Sequence, residues 1–188
     1  MKKILTRFNS HSLGEHPEHI ERFPIHVVLE NIRSLYNVGS ILRTADAVRI
    51  ASLHICGITG RPPRKEIAKT ALGAQDTVPW EYYESGAEAV RRLQRQGVRV
   101  FAVEHTDSGT GLWSLEFTFP VAFVFGYEIE GIEDETLAAC DGAVEIPMYG
   151  SKGSLNVAVA CAVMLYETLR RFERLRNGES PAEERKSP

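Results

Sequence analysis

Val121-Ala122-Phe123-Val124-Phe125-Gly126 is an unbroken apolar run closed by a glycine, and Val98-Arg99-Val100-Phe101-Ala102-Val103 precedes it. Short runs rich in β-branched and aromatic residues read as strands buried on both faces. Ile25-His26-Val27-Val28-Leu29 and Leu53-His54-Ile55-Cys56 are of the same kind. Between them Val38, Ile41, Leu42, Ala45 and Val48 recur at helical spacing, and Glu66 to Leu72 predicts a short helix. Thr77 to Tyr83 reads as extended, with Pro79 arguing against a central place in a sheet. Ala87 to Gln96 is amphipathic and stops at Gly97, and a last helix is expected over Ser154 to Arg171. Strands alternating with helices imply an α/β fold, a mostly parallel sheet with helices on both faces. Ligands of such sheets sit at the carboxyl ends of the strands.

The length of 188 residues suits one domain. A chain of that size buries roughly 70% of its unfolded surface and needs no metal or disulfide staple. Apolar residues at 43% and charged residues at 25% are the balance of a soluble globular protein. A net charge of −3 argues against wholesale wrapping of nucleic acid but leaves room for a local basic site. Cys56, Cys140 and Cys161 are scattered without a CxxC pair, so neither a disulfide framework nor a zinc ribbon is expected. Met1-Lys2-Lys3 is followed by polar Asn9 to Ser12 where a signal peptide needs an apolar stretch. The apolar run from Ser154 to Tyr166 is too short to span a bilayer, so no membrane role and a cytoplasmic location are expected. The chain divides into a polar extension (1–24), a folded unit (25–172) and a charged tail (173–188) expected to be disordered. Histidines 11, 16, 19 and 26 fit no standard metal spacing and read as a solvated leader.

Three segments stand where strands should end. In the first, Glu30 to Ala45, free N–H groups at a helix start and the guanidinium groups of Arg33 and Arg43 suit a phosphate. Asn37, Ser40 and Arg43 form a polar stripe there, although Asn37 could equally be a helix cap and Arg43 a solvated surface residue. The second, Phe125 to Gly131, brackets Glu128 between glycines without a GxGxxG order, which disfavours a nicotinamide site. The acids that follow, Glu133 to Glu135, read as a helix start favoured by the helix dipole. In the third, Glu145 to Val157, neither a P-loop nor a nucleophile elbow is present. Ser154 is a candidate cap for the last helix, and Asn156 is a polar amide early in it that needs partners.

Together these segments closely resemble the motifs of the TrmH/SpoU branch of the SPOUT RNA methyltransferases. The match is N-x-x-x-x-x-N-x-G-x-x-x-R-T-A at 31–45, G-x-E-x-x-G at 126–131 and I-P-M-x-G-x-x-x-S-L-N-V at 146–157. Thr70 to Ala74 lies between the first two, and the resemblance spans Ile25 to Glu167. It implies a Rossmann-like fold whose C-terminal part is threaded into a deep trefoil knot, an exception to unknotted connectivity. It also implies an S-adenosylmethionine site in the knot, a homodimer, and methylation of a ribose 2′-hydroxyl in tRNA or rRNA. Carried over by position, Gly126, Ile146, Met148 and Leu155 would meet the cofactor, with the loop after Val103 nearby. Asn37, Arg43, Glu128, Ser154 and Asn156 match the catalytic and substrate-positioning residues, Asn31 stands close by, and Arg43 is expected to serve the partner subunit's site. Tyr127 is bulkier than the family's usual residue, and Arg49 stands where a glycine often follows the first helix.

The residue types suit the reaction, because a sulfonium methyl donor needs alignment with its acceptor rather than acid or metal assistance. The resemblance makes Arg43 a base; a guanidinium of pKa above about 12 suits phosphate binding and stabilisation of a developing alkoxide equally well. RNA contact would come from local charge: Arg33 in the first segment, and Arg64 and Lys65 flanked by Arg61 and Lys69. The solvated-face reading of 61–69 is the alternative. A catalytically inactive SPOUT-fold protein that binds RNA or assists assembly is the second functional class, but Arg43, Glu128 and Asn156 are all retained.

Overall fold

A computed structural model describes residues 21–178. Its central sheet contains β1 (Phe23–Glu30), β2 (Ile50–Cys56), β3 (Trp80–Tyr83), β4 (Arg99–Val103), β5 (Thr110–Gly111), β6 (Val121–Phe125) and β7 (Gly142–Glu145). The order across the sheet is β3-β2-β1-β6-β4-β7-β5, and every pairing is parallel. The helices are α1 (Leu35–Val48), α2 (Lys65–Ala71), α3 (Ala74–Thr77), α4 (Gly86–Gln94), α5 (Asp134–Ala139) and α6 (Val157–Arg176). The α/β class and the parallel sheet expected from the sequence are what is observed.

Alternation along the strands divides the core. Ile25, Val27 and Leu29 of β1 pack with Val38, Ile41, Leu42 and Ala45 of α1 and with Cys161, Met164 and Leu165 of α6. Val28 points the other way, joining Val100, Ala122 and Val124 beneath Val90 and Leu93 of α4. β6 lies under both layers, which is why all of its residues are buried and its sequence shows no polar alternation. Gly39 lets α1 approach α2, since a Cβ there would lie 2.4 Å from the Ile67 carbonyl oxygen.

Several boundaries differ from the sequence reading. Thr77 closes the short helix α3 rather than opening a strand, and β3 begins at Trp80 on the sheet edge, with Pro79 just before it. The last helix starts at Val157 rather than Ser154, because the Asn156 side chain accepts from the N–H groups of Ala158 and Val159 and supplies the cap. It also continues past Arg171 to Arg176. Glu167 pairs with Arg170 and Arg171 one turn on, and the Phe172 ring packs 5.3 Å from that of Phe23 and 5.0 Å from that of Phe119. Arg49, where a glycine was the familiar residue, adopts φ 55 to end α1 and carries its guanidinium over the Phe23 ring. Apart from 21–24 and 173–178, the N-terminal extension and the charged tail lie outside the described residues, as do histidines 11, 16 and 19. No helix among the described residues is long and apolar enough to cross a membrane.

His26 belongs to the fold rather than to a leader. Its Nδ1 lies 2.8 Å from Ser52 Oγ, which lies 2.8 Å from His54 Nε2. Burial lowers both rings to a pKa of about 4 from an ordinary value near 6.5, and for His54 the neighbouring His26 adds to the effect. Between those two values the unfolded chain binds more protons than the folded one, so stability falls as the pH drops from 6.5 to 4. The fall is at most about 1.4 kcal/mol per pH unit for each ring. Urea midpoints measured across that window should therefore decline, and the double variant His26→Gln/His54→Gln should decline less steeply. Equal slopes would contradict burial of neutral rings.

Candidate active site

At the carboxyl edge of the sheet the β1–α1, β6–α5 and β7–α6 connections converge. The β6–α5 loop is pinched shut: Tyr127 N–H donates to Gly131 O at 3.1 Å and Gly131 N–H to Tyr127 O at 2.8 Å. A Cβ on Gly126 would lie 2.4 Å from the Gly131 carbonyl, so only glycine fits. This turn presents Glu128, whose Oε1 accepts from Asn37 Nδ2 at 2.6 Å. Asn37 Oδ1 in turn accepts from Asn156 Nδ2 at 3.2 Å. Asn156 spends its own Oδ1 on capping α6. One hydrogen-bonded row, Glu128–Asn37–Asn156, thus joins all three segments. The cap of α1 is Ser34, so Asn37 is not the helix cap and its side chain is free for this row.

Beside the row lies a cleft of about 710 Å³. Its lining includes Gly126, Ile146, Met148 and Leu155, together with Glu128, Ser154 and the Val103–Thr106 loop. The apolar side chains of Ile146, Leu155 and Val144 suit a flat heteroaromatic ring, while backbone groups of the loops suit its polar edge. Thr106 Oγ1 is buried there without a hydrogen-bond partner, a polar atom that a ligand would satisfy. The Thr106 loop is fixed by Glu145, whose carboxylate accepts from Thr106 N–H at 3.1 Å and meets His105 Nδ1 at 3.0 Å. The Thr106 bond and then His105 hold the Glu145 carboxyl below the usual carboxylate range.

The remaining candidates are distributed unequally. Ser154 lines the cleft and does not cap α6. Arg43 lies exposed on α1, outside the cleft lining of its own chain, and makes no hydrogen bond or ion pair among the described residues. Arg33 lies over the Tyr127 ring at 4.4 Å, so the bulky residue at 127 has a local partner, and it is 3.9 Å from Glu130. Asn31, read as an RNA contact, uses both ends of its amide internally: Nδ2 donates to Glu133 at 2.7 Å and Oδ1 accepts from Ile58 N–H at 3.1 Å. Arg64 and Lys65 are exposed at the start of α2 and do not reach the cleft.

Sequence reasoning missed Glu30. It is 1% exposed, and its carboxylate accepts from Gly86 N–H and Glu133 N–H, both at 3.0 Å, and from the Thr136 hydroxyl. Position alone held the only clue, an acid closing an apolar strand. Glu104 and Thr106 lie in the loop after Val103, expected near the cofactor, and Glu145 opens the third segment, but none of the three was singled out as an individual residue.

Fold and site define the class: a parallel α/β protein with a ligand cleft built from loops at the carboxyl edge. The SpoU rRNA Methylase family matches residues 24–166, and the chain belongs to that family. It is 38% identical over 152 residues to the tRNA (guanosine(18)-2′-O)-methyltransferase of Thermus thermophilus, covering 81% of this chain and 76% of that one. It is 35% identical over 147 residues to the 23S rRNA (guanosine-2′-O-)-methyltransferase of Vibrio cholerae, covering 78% of this chain and 59% of the relative. The SpoU methyltransferase AviRb of Streptomyces viridochromogenes, solved in complex with the cofactor AdoMet, superposes with a TM-score of 0.73 at 25% identity. That superposition covers 81% of this chain and 60% of AviRb.

Asn156 has two separable duties. Asn156→Ala should destabilise the fold by about 1 kcal/mol through loss of the cap. Asn156→Asp keeps an acceptor for the cap but cannot donate to Asn37 and places a second negative charge near Glu128. Thermal unfolding should find the aspartate variant closer to wild type than the alanine variant, while both are impaired in activity. Equal stability of the two would remove the cap from the argument.

Proposed function

We propose that the protein is an S-adenosylmethionine-dependent methyltransferase acting on a ribose 2′-hydroxyl of tRNA or rRNA. The observation that carries this reading is the Glu128–Asn37–Asn156 row running beside a cleft of cofactor size. The cleft fits the cofactor, with apolar walls for adenine, an unpartnered Thr106 hydroxyl and the nearby carboxylates Glu104 and Glu128 for the cationic end. When bound, the cofactor supplies an electrophilic methyl group on a sulfonium whose thioether product is neutral.

Everything else falls to the chain. Gly126, Ile146, Met148 and Leu155 hold the donor, and the turn at Gly131 fixes where Glu128 stands. Asn37 and Asn156 keep that carboxylate in place and, with Ser154, orient the ribose. Holding two reactants aligned contributes several kcal/mol of the barrier, on the order of the effective molarities of oriented pairs. Arg43 binds the phosphate next to the target ribose and offsets the negative charge that grows as the hydroxyl passes its proton to solvent water. A guanidinium stays charged and has no lone pair suited to accept that proton.

Arg43 is exposed and lies outside the lining of its own chain's cleft, which supports a homodimer in which it serves the partner's site. The face of α6 opposite the core points the same way: Val159 and Tyr166 are 49% and 55% exposed, an apolar stripe that a second copy would cover. The trefoil knot is part of the same reading and rests on the chain's membership of the SpoU family. Arg33, Arg64 and Lys65 supply phosphate contacts, Asn31 braces the RNA-facing loops, the folded unit read at 25–172 extends with β1 and α6 to Phe23 and Arg176, and the cytoplasm is the compartment.

Incubation with methyl-labelled cofactor and total RNA should label a nucleotide that resists alkaline cleavage on its 3′ side, as a 2′-O-methyl group requires. Arg43→Ala should leave S-adenosylhomocysteine binding and thermal stability nearly unchanged while lowering methyl transfer by about a hundredfold or more. Near wild-type turnover in that variant would reduce Arg43 to a surface arginine. In sedimentation the chain should run at twice its monomer mass at micromolar concentration; a monomer would overturn the shared site.

A further inference from the structure

The loop between β2 and α2 (57–64) takes no part in the cleft, yet charge collects there. Residues 57–69 hold Arg61, Arg64, Lys65 and Lys69 against one carboxylate, Glu66, in a chain of net charge −3. All four cations are exposed. The Arg61 guanidinium lies 3.9 Å from the centre of the Tyr82 ring, which is 41% exposed on the sheet-edge strand β3. Tyr82 is not loose: its hydroxyl donates to Gly57 O at 3.3 Å, tying the ring to the loop that carries Arg61.

The loop is also braced against the reaction site. Asn31, at φ 57, accepts from Ile58 N–H through Oδ1 and donates through Nδ2 to Glu133, in the segment that follows Glu128. A Cβ on Gly57 would lie 2.2 Å from Asn31 Oδ1, so the brace demands glycine at the turn. Solvated lysines on a surface need neither an ordered aromatic partner nor a strut to a distant loop. An exposed ring and a guanidinium plane, flanked by cations, are the surfaces on which unstacked RNA bases rest.

We propose that the Arg61–Tyr82 pair is a docking point for an unpaired nucleotide of the RNA substrate. The base rests on the pair, and the neighbouring phosphates meet Arg64 and Lys65. This rests on the methyl-transfer reading and deepens it: the enzyme selects RNA carrying an unstacked loop at a fixed offset from the methylated ribose, with Asn31 setting the offset.

Fluorescence anisotropy of the full chain with a short labelled oligouridylate, and with duplex RNA of the same length, tests this. The single strand should bind wild type more tightly than the duplex. Tyr82→Leu should weaken oligouridylate binding about tenfold, while Tyr82→Phe, which keeps the ring and loses only the bond to Gly57, retains most of it. Arg61→Ala, at an exposed position, should weaken it several-fold, and every variant should bind S-adenosylhomocysteine as wild type does. Equal losses in the Phe and Leu variants would make Tyr82 a brace for the loop and overturn the proposal, as would no loss in either. Loss in Tyr82→Leu from a protein that methylates no RNA would uphold the docking point while sinking the reaction. Methylation with unchanged oligouridylate binding would do the reverse.

Discussion

Removing a carboxylate from water costs several kcal/mol unless hydrogen bonds replace its hydration. Glu30 meets that demand at the end of β1 by drawing in the N–H at the start of α4, the N–H of Glu133 and the hydroxyl of Thr136. Those donors belong to α4 and to the start of α5, which also meet through Arg91–Glu135 and through Gln94 donating to the Ala139 carbonyl. Satisfying one buried carboxyl therefore helps to fix where the chain resumes after the Glu128 turn and where α5 begins. A Cβ on Gly86 would lie 2.2 Å from Glu30 Oε1, so the α4 end has to arrive as bare backbone. Asn31, next along the chain, extends the same junction outward to the 57–64 loop. The buried Glu30 carboxyl thus ties the end of β1 to the start of α4 and to the chain after the Glu128 turn.

The sheet was legible because its strands are buried on both faces. Val121 to Phe125 cannot be anything but apolar when helices cover it above and below, and α1 shows its inward stripe at helical spacing for the same reason. The short elements were not. β5 has two residues and β7 four, with Gly142 at its start, so neither offers a hydrophobic period to read. The start of α6 was misplaced because serine and asparagine are both good caps, and only the geometry of the loop decides that Asn156 takes the role. Sequence spacing also could not reveal that Asn156 and Glu128 meet through Asn37, since the partners are 119 and 91 residues apart from it. The segments could be identified singly from residue type; their hydrogen-bonded row is a product of the fold.

That row is built to restrain charge rather than to create it. A carboxylate held by an amide that is itself held by a second amide has little freedom to turn, and the second amide is anchored at the head of a long helix. Each link is short and points one way, from helix cap toward anion. A site that needs to position a hydroxyl against a methyl group benefits from such stiffness, because alignment is the contribution it has to make. The same logic holds for Glu145, another residue of the cleft lining, which fixes the Thr106 loop.

Arg43 stands apart from this stiffness for a reason that lies in helix geometry. Six residues separate it from Asn37 on α1, which places it about 9 Å further along the axis and turned by about 120°. A helix that aims Asn37 into the row therefore carries Arg43 away from it, and Arg43 is not among the residues lining the cleft. Unwinding α1 would expose Val38, Ile41 and Leu42, which are fully buried. In the proposed dimer Arg43 would serve the partner's cleft instead of its own. The exposed apolar stripe of α6, packed beside α1, would bring the two copies into contact at that place. A phosphate bound between one subunit's guanidinium and the other's row would then report correct assembly, since neither chain alone offers both halves of the contact.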